Sequence, residues 1–212
     1  MGRTCTSSRT LDQAVSRFDL EPSPHGRRSP PVPKRLNRHA DFGHRWTEER
    51  PHTLVVACSD GRLQEATDTF LGRELGLTQF DRFYMPGGGG ALASSGRDFI
   101  RAQQLRRECA YLVELHSVAR VVLLFHGPAI DGPAAAVCAD YRRKMPWASP
   151  EVVLARQRQD SLELIERRSE WAGQASVASY RCEVHAGGRI TFRPLDADGT
   201  EPVHGEQHVR VR

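Results

Sequence analysis

Two short apolar runs, Leu54-Val55-Val56-Ala57 and Val121-Val122-Leu123-Leu124-Phe125, constrain the fold of this chain more than any other feature. Each is apolar at consecutive rather than alternate positions, so each reads as a strand covered on both faces, as in parallel sheets. Each also stops at a residue able to bind a metal. The first runs into Cys58-Ser59-Asp60-Gly61-Arg62 and the second into His126-Gly127-Pro128-Ala129. Ligands of open parallel sheets bind beyond the carboxyl ends of the strands. A zinc site at that edge of the sheet is the first expectation.

The rest of the central chain alternates strand and helix in the manner of an α/β domain. Residues 53–58 read as a strand and 63–75 as a helix closed by Gly76. Residues 83–85 read as a short strand running into Pro86 and the glycines at 87–90. A long helix is expected from Ser94 or Ser95, with Phe99, Ala102, Leu105, Cys109, Leu112, Val113 and His116 at three- and four-residue steps. After the strand 120–125, a helix is expected near 134–141. Ser149-Pro150-Glu151 supplies an N-cap and a first-turn proline for another, reaching about Trp171. Residues 177–185 and 189–192, joined by Ala186-Gly187-Gly188, form a terminal hairpin. The expected fold is α/β, a mostly parallel central sheet with flanking helices and a C-terminal hairpin, over residues 51–195.

Residues 1–50 carry ten Lys/Arg against six Asp/Glu, and so the whole net charge of +4. With five prolines between Glu21 and Pro33, this segment reads as a poorly ordered basic arm, with a short amphipathic helix possible at 11–20. Residues 196–212 read as a polar tail. The body is balanced in charge, which speaks against a nucleic-acid-binding face. No apolar run approaches the roughly 20 residues of a membrane helix. The five cysteines, at 5, 58, 109, 138 and 182, fit no disulfide framework, and the start lacks the apolar core of a signal peptide. A cytoplasmic setting is expected.

Cys58 and His126 supply two zinc ligands from strand ends. Asp60 is placed either to bind the metal or to pair with Arg62, whose guanidinium can hold both carboxylate oxygens. Gly87, Gly88 and Gly89 could bring backbone N–H groups to a small anion. Cys58 does not begin a phosphatase loop, because the Cys-x5-Arg spacing falls on Gln64.

The run CSDGR at 58–62, the Pro-Gly exit at 86–90, the long helix and VVLLFH at 121–126 resemble the β-class carbonic anhydrases, whose pattern is Cys-x-Asp-x-Arg followed by His-x-x-Cys. The resemblance spans about residues 52–194. It implies Cys58 and His126 as zinc ligands, Asp60 and Arg62 as a catalytic dyad, a small-molecule substrate and a homodimer or higher oligomer. The reaction implied is hydration of CO2 to bicarbonate through a metal-bound hydroxide. The family's second cysteine falls on Ala129, which cannot bind metal. Asp131, followed by Gly132 as that cysteine is by glycine, is the substitute expected if the loop carries a two-residue insertion; otherwise Asp131 is a loop or capping carboxylate. Cys138 is a more distant alternative, two turns into the next helix.

Ala129 favours a non-catalytic binding or assembly protein that has lost its site. Intact Cys58, Asp60, Arg62 and His126 favour an enzyme, a carbonic-anhydrase-type lyase or a hydrolase of a related molecule such as CS2 or COS. The balance falls on the enzyme. Cys109 and His116, on the apolar stripe of the long helix, are expected to pack in the core.

Overall fold

The computed structural model describes residue 43 and residues 45–95 and 98–195. The expected helix at 11–20 and the tail 196–212 lie outside the described residues, as does most of the basic arm. Five strands form one sheet: β1 (Thr53–Ala57), β2 (Asp81–Tyr84), β3 (Arg120–Pro128), β4 (Ser176–Val184) and β5 (Ile190–Pro194). Their order is β2-β1-β3-β4-β5, parallel throughout except for β5, which returns antiparallel to β4. The helices are α1 (Gln64–Arg73), α2 (Phe99–Leu115), α3 (Ala139–Lys144) and α4 (Pro150–Glu166). The expected α/β class, mostly parallel sheet and C-terminal hairpin are what the chain forms. None of the described helices is long and apolar enough to cross a membrane.

The consecutive apolar residues of β1 and β3 do cover both faces. Leu54 and Val56 pack with Val121, Leu123 and Phe125 in one cluster, together with Cys109 of α2 and Leu164 of α4. Val55 and Ala57 pack with Val122 and Leu124 on the other face, against Leu71 of α1. Burial of each such side chain contributes about 1.5–3 kcal/mol, which is why polar alternation is absent from these strands.

Two helix boundaries differ from the periodic reading. α2 starts at Phe99 rather than at Ser94 or Ser95, because Asp98 caps it, its carboxylate accepting from Arg101 N at 3.1 Å. His116 caps the other end, and its Nδ1 lies 2.6 Å from Asp81 Oδ2, so the ring is held by a carboxylate at the helix end instead of packing in the core. α4 begins as read, with the Ser149 hydroxyl accepting from Val152 N and Pro150 in the first turn.

The connections reverse direction between β1 and β3. β2 lies on one side of β1 and β3 on the other, so the crevice beyond their carboxyl ends is the switch point at which such sheets bind ligands. β1 accompanies β3 only as far as the Val56–Leu123 pair, whereas β3 continues beside β4 to the Pro128–Val184 pair. His126 therefore lies inside a strand longer than expected, in register with Cys182.

Candidate metal centre

The glycine turn fills the gap where β1 leaves β3. Met85 N donates to Ala57 O at 3.0 Å, and residues Gly88–Leu92 then form a buried 3-10 turn. Gly88 has φ +53°, and a Cβ there would come within 2.8 Å of Cys58 N and 2.5 Å of Leu124 O. Only glycine fits between two backbones at that distance. Gly88→Ala is expected to lower stability by about 3 kcal/mol in urea unfolding. The turn is not the open anion cradle expected of Gly87, Gly88 and Gly89. Gly88 N is engaged by Met85 O at 3.1 Å, Gly87 N–H acts on the Cys58 sulphur, and Gly89 packs against the Phe125 ring.

Cys58 follows β1 directly, and His126 reaches the same point from β3. The third member is Cys138. The sulphurs of Cys58 and Cys138 and a ring nitrogen of His126 all lie within 4.8 Å of one another. The helix expected near 134–141 is broken. Residues Ala134–Ala136 form one 3-10 turn, Val137 and Cys138 are extended (ψ 128° and 130°), and α3 starts only at Ala139. That break turns the Cys138 side chain back toward Cys58.

Asp131 is not brought to this cluster. Its Oδ1 lies 3.2 Å from His185 Nδ1, and its side chain is more than half exposed. The reason is the tight turn that follows β3, where Gly132 N donates to Ala129 O and Ala129 N donates to Val184 O. Ala129 is itself buried beside β4, with no donor to offer. Cys138 takes the place for which Asp131 was the expected substitute.

Both ring nitrogens of His126 are buried and make no hydrogen bond within the described residues. Burying two such atoms without partners is costly, and a bound metal would satisfy one of them. Cys58 is lowered to about 4, chiefly by its contact with Cys138, with help from His126 and the Gly87 N–H. Cys138 is pushed up by the neighbouring Cys58 and by burial, although the backbone N–H groups of Asp140 and Tyr141 act the other way. Two thiols and an imidazole are a soft donor set suited to zinc.

Asp60 and Arg62 pair as expected. Arg62 Nε donates to Asp60 Oδ1 at 2.9 Å and Nη2 to Oδ2 at 2.6 Å, and Arg62 N adds a backbone bond to Oδ1 at 3.1 Å. The Arg62 guanidinium holds the Asp60 carboxyl down at about 2. The pair borders a pocket of about 170 Å3 shared with His126 and walled by Leu63, Pro133, Ala135, Ala136, Val184 and Ile190.

Behind His126 lies a buried polar network with no obvious sequence signal. Gln157 Nε2 donates to His126 O at 2.9 Å, and Arg181 Nε donates to Gln157 Oε1 at 2.8 Å. Arg181 Nη2 holds Pro128 O at 2.8 Å, and its other arm pairs with Glu183. A charged residue in an alternating strand reads as solvent-facing, whereas Arg181 is 1% exposed.

No family model matches the chain, and no curated protein matches it. Among solved structures it is similar to a carbonic anhydrase from Glaciozyma antarctica, at 17% identity over 69% of this chain and 83% of that one, with a TM-score of 0.38. It is also similar to the β-carbonic anhydrase CafA of Aspergillus fumigatus (17% identity, 73% and 78% covered, TM-score 0.38). A third likeness is to CafD of the same fungus (13% identity, 68% and 89% covered, TM-score 0.36). Likeness this distant leaves the site to be read from its own donors.

Proposed function

We propose that the chain is a zinc-dependent lyase of the β-carbonic-anhydrase kind, interconverting CO2 and bicarbonate, with Cys58, His126 and Cys138 holding the metal. The observation that carries this reading is the convergence of two thiols and an imidazole within 4.8 Å of one another, next to a carboxylate–guanidinium pair. Zinc held by three protein ligands lowers the pKa of a coordinated water to about 7 and supplies a nucleophile at neutral pH.

The protein's own residues provide the rest. Arg62 keeps Asp60 ionised and fixes its plane, so that the carboxylate is a fixed hydrogen-bond acceptor beside His126. Three N–H groups of Arg62 engage Asp60 Oδ1 and Oδ2, with Nε shared between them, which leaves about one of the carboxylate's acceptor positions to orient a water and take its proton. The pocket walls are aliphatic, which suits an uncharged linear molecule and excludes larger polar substrates by its volume of about 170 Å3. The same walls accommodate CS2 and COS, and parallel assays rank the three.

Stopped-flow CO2 hydration by the zinc-loaded chain tests the proposal. Asp60→Asn is expected to lower kcat/KM by about 10^2- to 10^4-fold while zinc stays bound. Hydration by the parent at the rate of free zinc, with CS2 and COS equally inert, would defeat it.

A further inference from the structure

We propose that Asp140, with Arg101 and Lys144, is a positioning clamp that ties the glycine turn behind Cys58 to the helix that follows Cys138, holding the two sulphurs at ligand spacing. This rests on the metal reading above.

Asp140 stands in the first turn of α3, two residues after Cys138, and its side chain is 3% exposed. Three cations converge on it: Arg101 Nη1 at 3.3 Å, Arg143 Nη2 at 3.3 Å and Lys144 Nζ at 3.2 Å. A buried carboxylate needs such compensation, but not three partners with such different second contacts. Arg101 uses its other arm, Nη2, to donate to Pro86 O at 2.7 Å, immediately before the glycine turn. Lys144 Nζ donates to Gly90 O at 2.8 Å, inside it. The two cations therefore grip the turn on either side of Gly87 and Gly88, and Asp140 anchors both.

The carboxylate also lies close against the turn. Gly87 has φ +103°, and a Cβ there would lie 2.9 Å from Asp140 Oδ2. Gly87 is the residue whose N–H acts on the Cys58 sulphur, and the Asp140 backbone N–H acts on the Cys138 sulphur. One residue is thus coupled to both thiols without being a ligand, as the outer partners of metal sites are. Arg143 differs from the other two cations. It reaches Asp140, and at 4.0 Å Asp98, but it donates to no atom of the glycine turn and is largely exposed.

This contrast supplies the test. Zinc affinity is measured by competition with a chromophoric chelator, and Co(II) uptake by its sulphur-to-metal charge-transfer bands, on the full chain and four variants. Asp140→Asn, Arg101→Gln and Lys144→Gln are each expected to weaken zinc binding about 10- to 100-fold and to shift the cobalt bands. Arg143→Gln is expected to leave both unchanged. Equal weakening by Arg143→Gln would reduce the cluster to general electrostatics and overturn the clamp. Unaltered affinity and spectra in both Arg101→Gln and Lys144→Gln would also overturn it, and those two changes keep the buried carboxylate itself should Asp140→Asn fail to fold. A parent chain that takes up neither metal would instead overturn the metal reading, and the clamp with it.

Discussion

Replacing Cys138 with alanine is expected to remove tightly bound zinc and with it all CO2 hydration above the solution background, while Asp131→Ala leaves both at parent levels. The asymmetry follows from where the two residues stand. The Cys138 sulphur is buried within 4.8 Å of the Cys58 and His126 donors, whereas Asp131 is exposed and paired with His185. Losing one of three protein ligands leaves a two-coordinate site, and zinc sites that do work keep at least three. Elemental mass spectrometry after dialysis and a stopped-flow assay read both quantities on the same sample. Zinc retained in Cys138→Ala and lost in Asp131→Ala would reverse the ligand assignment.

The second large effect lies behind the site. Arg181→Met is expected to cost about 3–5 kcal/mol of stability, because it removes a buried cation that serves Glu183 and two buried acceptors at once. Glu183 would keep only Arg193, at 2.7 Å, and Gln157 Oε1 and Pro128 O would each lose their donor. Burial already works against the Arg181 charge and lowers its pKa, so Glu183 and the two acceptors are what hold it there. Gln157 donates to His126 O, which links the same network to the strand position that presents the imidazole. Urea unfolding of parent and variant measures the difference. A change below about 1 kcal/mol, the usual size for an exposed pair, would show that the network carries no load.

The sheet was legible from sequence because its signal is local. Leu54 to Ala57 and Val121 to Phe125 are apolar on both faces, and only central parallel strands need that. Cys58, Asp60, Arg62 and His126 were legible for the same reason, since each sits within a few residues of such a strand end. Cys138 was not. Ala134-Ala135-Ala136 and the residues after it have helical composition, and the break at Val137 and Cys138 comes from packing against Cys58 rather than from any breaker in the segment. Asp131 looked better placed because spacing from His126 was the only ruler available, and its actual partner, His185, is 54 residues away. Arg101 and Asp140 meet across the same kind of separation, 39 positions apart, and Lys144 reaches Gly90 across 54. Contacts of this sort depend on tertiary structure and leave no periodic trace.

Zinc K-edge X-ray absorption on the zinc-loaded chain tests the central claim most directly, because it counts sulphur donors without reference to activity. Two sulphurs and one imidazole nitrogen per zinc is the predicted result, with no stoichiometric zinc left to measure in Cys58→Ala or Cys138→Ala. One sulphur in the parent, or a first shell of oxygen and nitrogen alone, would contradict it.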